Sequence, residues 1–209
     1  VNTLTPTSIA FGPVRVAFDE TVLRPRPWTL AQSEWAAELV ADGSMLELGC
    51  GAGHIGLAAA VLSGRPLVQV DRDPAARRWA GRNAAASGCA ARVEQRWGTA
   101  ESALRPGERF DVVIADPPYV PAAEVGLYPD DPVGAIDGGA DGLDEVRSFL
   151  AAAAGHLTPE GSIVLQLRGI RQVAELETWL AHPASPELVV VEARSYGDLR
   201  ALARLQRRP

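Results

Sequence analysis

From Ser44 to Gln206 the chain alternates short apolar runs with longer Ala-rich segments, and this rhythm limits the fold more than any other feature. Strands separated by helices return to the same end of a sheet, so they run parallel and the helices cover the faces. The runs predict strands over 44–48, 66–70, 91–97, 110–115, 161–167, 187–192 and 199–206. Helices are expected over 54–62, 74–87, 143–157 and 171–181, with "TLAQSEWAAELVADG" as an earlier one that has Thr29 as N-cap and Gly43 after its end. Pro74 suits a first helical turn, Gly64 and Gly88 suit helix ends, and Pro159 reads as following a last turn. The fold class is α/β, a seven-stranded mostly parallel sheet flanked by helices. Residues 120–142, rich in prolines and acids, read as a long loop of the functional kind.

A length of 209 residues, 47% of them hydrophobic, fits one domain over 29–209 preceded by an extended, turn-rich extension or cap over 1–28 that lies over the sheet. No segment has the length of a membrane span and "VNTLTPTSIA" lacks the blocks of a secretory signal, so a cytoplasmic protein is expected. Cys50 and Cys89 form neither a disulfide framework nor a metal pair, and His54, His156 and His182 lack ligand spacing, so no metal is expected. All 20 basic residues are arginine. The absence of lysine excludes Schiff-base chemistry and the lysine of a phosphate-binding P-loop. A net charge of −6 argues against a free-standing binder of phosphate backbone. Arg200, Arg204, Arg207 and Arg208 form a local patch that reads either as an RNA contact or as a solvated face.

The first chemical motif is "LELGCGAGHIGLAAA", a strand that runs into a Gly-rich turn and a helix. Gly49, Gly51 and Gly53 let a ligand approach the helix N-terminus without a Cβ in the way, at the strand ends where open α/β sheets bind ligands. The pattern is GxGxG behind an acid, Glu47, and the sixth position of a strict dinucleotide fingerprint is His54. That tilts the reading from a dinucleotide toward S-adenosylmethionine (SAM). Asp71, about twenty residues on at the end of the next strand, is placed to accept from both ribose hydroxyls. Asp73 reads as the N-cap of the helix opening at Pro74. Cys50 has no visible base beside it and reads as a small turn residue, and His54 as a surface or cap residue.

The second motif, "FDVVIADPPYVP", ends a strand in a rigid turn. Methyl transfer needs a nucleophilic lone pair, and an amide or exocyclic nitrogen has its lone pair delocalised. Asp116 and the Pro117 carbonyl are two acceptors able to hold the N–H groups while the nitrogen pyramidalises, and Tyr119 offers a ring for stacking. Asp116, Pro117 and Tyr119 are therefore the candidate catalytic residues.

With these motifs on the page, the chain resembles the Rossmann-like class I SAM-dependent methyltransferases and, within them, the HemK/PrmC group of protein-glutamine N5-methyltransferases. The resemblance runs from about 22 to 206 and rests on "VLRPRPWT", similar to that family's PRPxT segment, on "LELGCGAG", on "VDRDPAARRWAGRNAAASG", on DPPY and on "AIDGGADGLDEVRSFLAAAAGHLTPEGSIVLQL". It implies a methyltransferase domain over 29–209. It also implies that Glu47, Gly49, Cys50, Gly51, Ala52, Gly53, Asp71 and Asp116 hold SAM, and that Trp97 borders the adenine. Trp28, Thr29, Asp116, Pro117, Pro118 and Tyr119 would meet the substrate.

The chain departs from the family's pattern in three ways. Asp116 stands where the family has Asn, and an ionised Asp only accepts, whereas an amide also donates to a glutamine carbonyl. Trp28 replaces an acid in the PRPxT segment, and Arg96 precedes Trp97 where the family tends to have an acid. The N-terminal helical domain with which full-length bacterial members grip the release factor is not expected in the residues before the first helix. The leading substrate is a protein glutamine side chain, with a translation factor as the partner the resemblance implies. The alternatives are an exocyclic amino group of an RNA or DNA base, which suits an acceptor-only Asp116, and a small-molecule nitrogen enclosed by Trp28 and the 120–142 loop.

Overall fold

The structure, a computed structural model, describes residues 7–209. In chain order it contains β1 (Thr7–Phe11), β2 (Val14–Phe18), α1 (Leu30–Leu39), β3 (Met45–Leu48), α2 (His54–Ser63), β4 (Leu67–Asp71), α3 (Pro74–Ala86) and β5 (Val93–Trp97). There follow α4 (Ala100–Ala103), β6 (Phe110–Ala115), α5 (Val133–Ile136), α6 (Asp144–Ala154), β7 (Leu157–Leu167), α7 (Gly169–Leu180), β8 (Leu188–Ser195) and β9 (Ala201–Arg207).

The main sheet has seven strands in the order β5-β4-β3-β6-β7-β9-β8. Strands β5 to β7 of that series pair in parallel, and β9 lies antiparallel between β7 and β8. From β3 the chain moves outward to β4 and β5, then crosses back to β6 and β7 on the other side. Such a switch point opens a crevice beyond the carboxyl ends of the strands on either side of it.

Alternate residues of each central strand feed two cores, as a parallel sheet covered on both faces requires. Leu46, Leu48, Val113, Ile163 and Leu165 pack under α4, α6 and α7. Met45, Val112, Ile114 and Val164 pack under α1 and α2 with Trp35, Ile55 and Ala59. Each such Val, Ile or Leu is buried, for about 1.5–3 kcal/mol of transfer free energy apiece. The α1 helix is pinned to the sheet by Gln32, whose Nε2 donates to the carbonyls of Ala115, at the end of β6, and Val164, within β7, at 2.9 Å each.

The expected strands and helices are all present, with shifted ends. Several expectations are corrected. Residues 1–6 of the expected extension lie outside the described residues; residues 7–18 form an antiparallel hairpin, and it packs on α2 and α3, not on the sheet. Phe11, Val14, Val16 and Phe18 meet Ala58, Ala76 and Trp79, and Asn83 latches the hairpin through both Ala17 backbone groups at 2.8 Å. Thr29 does not cap α1 with its side chain, because a 3₁₀ turn over Pro27–Thr29 already holds its backbone in a helical conformation. Pro159 lies inside β7, in the irregular stretch where β7 shifts register against β6, and not just beyond the helix.

The 120–142 segment is folded rather than open. It carries a 3₁₀ helix over Ala122–Leu127 and α5, closed by Val120 N–H donating to the Ile136 carbonyl and Gly138 N–H to the Val120 carbonyl. Three arginines of the C-terminal patch are tied to the fold: Arg204 donates to Ser162 Oγ, Arg207 to the Ala154 carbonyl and Arg208 to the Leu180 carbonyl. Among the described residues no helix is long and apolar enough to cross a membrane.

Candidate functional site

The Gly-rich turn between β3 and α2 is stapled to β4. Gly49 and Cys50 N–H groups donate to the Val70 carbonyl at 2.9 and 3.2 Å, and Gly51 N–H donates to Asp71 Oδ2 at 2.9 Å. The other Asp71 oxygen accepts from Asp73 N–H at 2.8 Å, so the carboxylate is fixed in direction before any ligand arrives. Asp73 caps α3, accepting from Ala75 N–H at 2.7 Å. Beneath the turn the buried Glu47 accepts from Gly56 N–H at 2.9 Å and from Gln69 Nε2 at 2.6 Å. Burial and the nearby Asp71 and Asp116 push its carboxyl up to about 7 despite those two bonds.

Over this turn lies a cavity of about 760 Å³, of the size that takes a nucleoside-bearing ligand. Glu47, Gly49, Cys50, Gly51, Ala52 and Asp71 all line it. Gly51 takes φ +53°, and a Cβ there would meet no protein atom within 4 Å, so the turn presents bare backbone to the cavity. Gly53 is different: it does not line the cavity, and a Cβ would stand 2.9 Å from Gln69 Nε2 and 3.1 Å from Ala80 Cβ. Cys50 is buried and its thiol is pushed well above the ordinary range by that burial, so it is no nucleophile.

Asp116 follows β6 and lines this cavity and a second one of about 170 Å³. The smaller cavity is walled by Arg26, Trp28, Pro117, Tyr119, Tyr128 and Arg168 among others, while Pro118 faces the larger one. The Asp116 carboxyl has no hydrogen-bond partner among the described residues, and burial pushes it up to about 7 against the lowering effect of Arg26. Tyr119 is held in place by Gln166 Nε2, which donates to its hydroxyl at 3.0 Å, and by Gln172 Nε2, which donates to its carbonyl at 3.0 Å. The 120–142 segment roofs both chambers through Ala135, and Asp131 pairs with Arg26 at 2.5 Å across the smaller one.

Besides Gly53, two expected site residues lie elsewhere. Trp97 is 53% exposed, its indole N–H donates to the Arg72 carbonyl, and it does not line the cavity; Gly98, Thr99, Ala100 and Glu101 form that wall instead. Thr29 is buried below the cavities and donates to the Arg26 carbonyl at 2.9 Å. His54, read from sequence as a surface or cap residue, is buried and lines the large cavity. Glu145, Ser148 and Phe149 of α6 also reach it, and no motif marks them in the sequence.

Residues 32–127 match the model of the methyltransferase small domain family. The chain is 36% identical over 163 residues to a release factor glutamine methyltransferase of Gloeobacter violaceus, covering 74% of this chain and 57% of that protein. It is 35% identical over 205 residues to the release factor glutamine methyltransferase of Xylella fastidiosa, covering 93% of this chain and 71% of that one. The chain belongs to the HemK/PrmC-like family of protein-glutamine methyltransferases. This HemK/PrmC-like chain spans about half the length of several relatives it matches. Its fold is also that of a ribosomal protein L11 methylase from Lactobacillus delbrueckii, with a TM-score of 0.66 at 16% identity over 92% of this chain and 84% of the other. The HemK/PrmC-like site carries the glycine turn and, at the head of DPPY, an acid at position 116.

Proposed function

We propose that this chain transfers the methyl group of SAM to the side-chain amide nitrogen of a glutamine in a protein of the translation machinery. The observation that carries this reading is Asp116 in the wall shared by two chambers, one above the glycine turn and one behind DPPY. The family's relatives act on glutamine by name, and the site's chemistry agrees with that acceptor. In this reading residues 29–209 are the catalytic domain and the preceding segment its cap. The two free, buried thiols accord with a cytoplasmic setting.

The larger chamber fits SAM on two counts: the bare backbone at Gly51 admits a ligand against the turn, and Asp71 has its lone pairs aimed by Gly51 and Asp73 toward a ribose diol. When bound, SAM supplies an electrophilic methyl group. The chain's own residues hold the acceptor. The Pro117 carbonyl and an Asp116 oxygen take the two amide N–H groups, which frees the nitrogen lone pair for an in-line approach. Tyr119, fixed by Gln166 and Gln172, and Trp28 give flat walls for the amide plane. The 120–142 roof keeps water from the reacting nitrogen.

Burial resolves the mismatch of Asp for Asn. A carboxyl pushed up to about 7 retains a protonated fraction near neutrality, and the acid form has one O–H donor and one free acceptor. That is the same donor–acceptor pair as the Asn amide offers: the O–H donates to the glutamine carbonyl and the other oxygen accepts its N–H. The ionised form, with acceptors only, would suit an exocyclic amino group of a nucleic-acid base, and this is the second reading. Incubating labelled SAM with separate protein, RNA and metabolite pools tests both. Label recovered on glutamine in the protein pool supports the first reading; label confined to RNA or metabolites overturns it.

A further inference from the structure

His54 opens α2 and lines the large cavity, yet no step above uses it. The residue is 9% exposed, and its ring meets the Phe11 ring edge to face, with centroids 4.9 Å apart and 81° between planes. The Thr29 hydroxyl has a single hydrogen, and it donates that hydrogen to the Arg26 carbonyl at 2.9 Å. Toward His54 Nε2, at 3.4 Å, Thr29 Oγ1 therefore acts as acceptor. This places the imidazole hydrogen on Nε2 and leaves a lone pair on Nδ1. Burial pushes the ring down to about 3, so it stays neutral over the working range of pH. Nδ1 is thus a buried acceptor with no partner among the described residues, on a residue that lines the cavity. Such groups are rare in folded proteins and call for a donor.

We propose that His54 Nδ1 accepts a hydrogen bond from the α-ammonium group of bound SAM. The inference rests on the cofactor reading given under Proposed function. SAM carries three kinds of donor: the ribose hydroxyls, the adenine amino group and the α-ammonium. The hydroxyls fall to Asp71 at the end of β4. Position separates the other two. Gln32 ties α1 to the end of β6 and to β7, so Thr29, and His54 beside it, lie on that side of the crevice. Gly98 to Glu101 follow β5 and form the opposite wall. A ligand with its ribose at β4 and its reacting centre at Asp116 sends its base toward β5 and its amino-acid arm toward β6. The ammonium is the donor that reaches His54.

The test compares the wild type, His54→Phe and His54→Asn by calorimetry with two ligands. S-Adenosylhomocysteine carries the ammonium; 5′-methylthioadenosine lacks the whole amino-acid arm. Phe keeps the ring volume against Phe11 and removes the acceptor, while the Asn carbonyl restores an acceptor near the Nδ1 position. Loss of a hydrogen bond to a charged group predicts that His54→Phe binds S-adenosylhomocysteine about tenfold to a hundredfold more weakly. The same variant should bind 5′-methylthioadenosine within about twofold of wild type, and His54→Asn should regain most of the lost affinity. In the wild type the Nδ1 nitrogen resonance should move on adding S-adenosylhomocysteine and stay in place on adding 5′-methylthioadenosine, which keeps the test decisive even where a variant fails to fold. Equal weakening of both ligands would mean that His54 only shapes the cavity, and no weakening that Nδ1 bonds water; either overturns the inference. A wild type that binds neither ligand would remove the cofactor reading itself, and this inference with it.

Discussion

Gly51 and Gly53 stand two residues apart in one turn, both in the left-handed region at φ +53° and +78°, yet alanine should fail at each for a different reason. The backbone cost of a Cβ in that region is about 1–2 kcal/mol at either position. At Gly51 nothing more is added within the protein, because no atom lies within 4 Å of the new methyl group. At Gly53 the methyl meets Gln69 Nε2 at 2.9 Å and Ala80 at 3.1 Å, and overpacking there adds about 1–3 kcal/mol. A chain of 209 residues loses roughly 2–4 °C in Tm per kcal/mol. Gly51→Ala should therefore melt about 2–8 °C below wild type and Gly53→Ala about 4–20 °C below. Cofactor reverses the order of damage. SAM at about 100 times its Kd adds about 2.7 kcal/mol to a competent site, and Gly53→Ala should keep most of that gain. Gly51→Ala should lose it, since its methyl stands where the ligand meets the turn. Thermal melts with and without SAM decide the matter. A Gly51→Ala protein that keeps the full cofactor shift would refute the assignment of that glycine to ligand approach.

Asp71→Ala should weaken SAM binding by about 2–3 kcal/mol, the value of a pair of charge-assisted hydrogen bonds, and should lower Tm as well because Gly51 and Asp73 lose their shared acceptor. Calorimetry and melting on one preparation read both effects. With a glutamine acceptor, wild-type turnover should fall as pH rises through the titration of Asp116, which lies at or below about 7 once a cationic cofactor is bound, while Asp116→Asn stays flat; a wild-type rate that rises instead would assign the ionised carboxylate and favour the base-amine reading. Arg96 binds Glu108 at 2.6 Å and Glu94 at 3.0 Å, and its hydrogen bonds hold Glu108 down at about 2. A depressed carboxyl contributes stability above its ordinary value near 4.5 and loses it as pH falls toward 2, so Glu108→Gln should cost about 1–2 kcal/mol at neutral pH after allowance for solvent screening, with the gap to wild type closing below pH 4 in denaturant titrations.

The sheet and its helices were legible because each obeys a local rule: apolar runs of strand length, Gly64 where α2 ends and Asp73 capping α3. The glycine turn, Asp71 and DPPY were legible for a related reason, since chemistry at a strand end needs particular residue types at fixed spacing. The hairpin signal was also present, as Val14, Val16 and Phe18 alternate behind a Gly-Pro turn, but its partner surface on α2 and α3 depends on Asn83, far away in sequence. Trp97 looked like an adenine wall from its motif position, and the fold turned it outward because an edge strand's last residue chooses its side by register. His54 was read as a surface or cap residue and the α6 residues were silent, because burial is decided by which elements pack together and no single segment encodes that. Asp116 was visible as a departure from the family; only the walls around it show why an acid can stand there.

Asn83 bonds the Ala17 backbone of the hairpin and, with the same amide group, the Ala52 carbonyl of the glycine turn at 2.9 Å. The hairpin and the turn are thus one cooperative unit in local opening: a fluctuation that peels the hairpin from α3 withdraws a support from the floor of the large chamber. The segment that seemed a mere lead-in to the domain sets part of the order in which that floor comes apart.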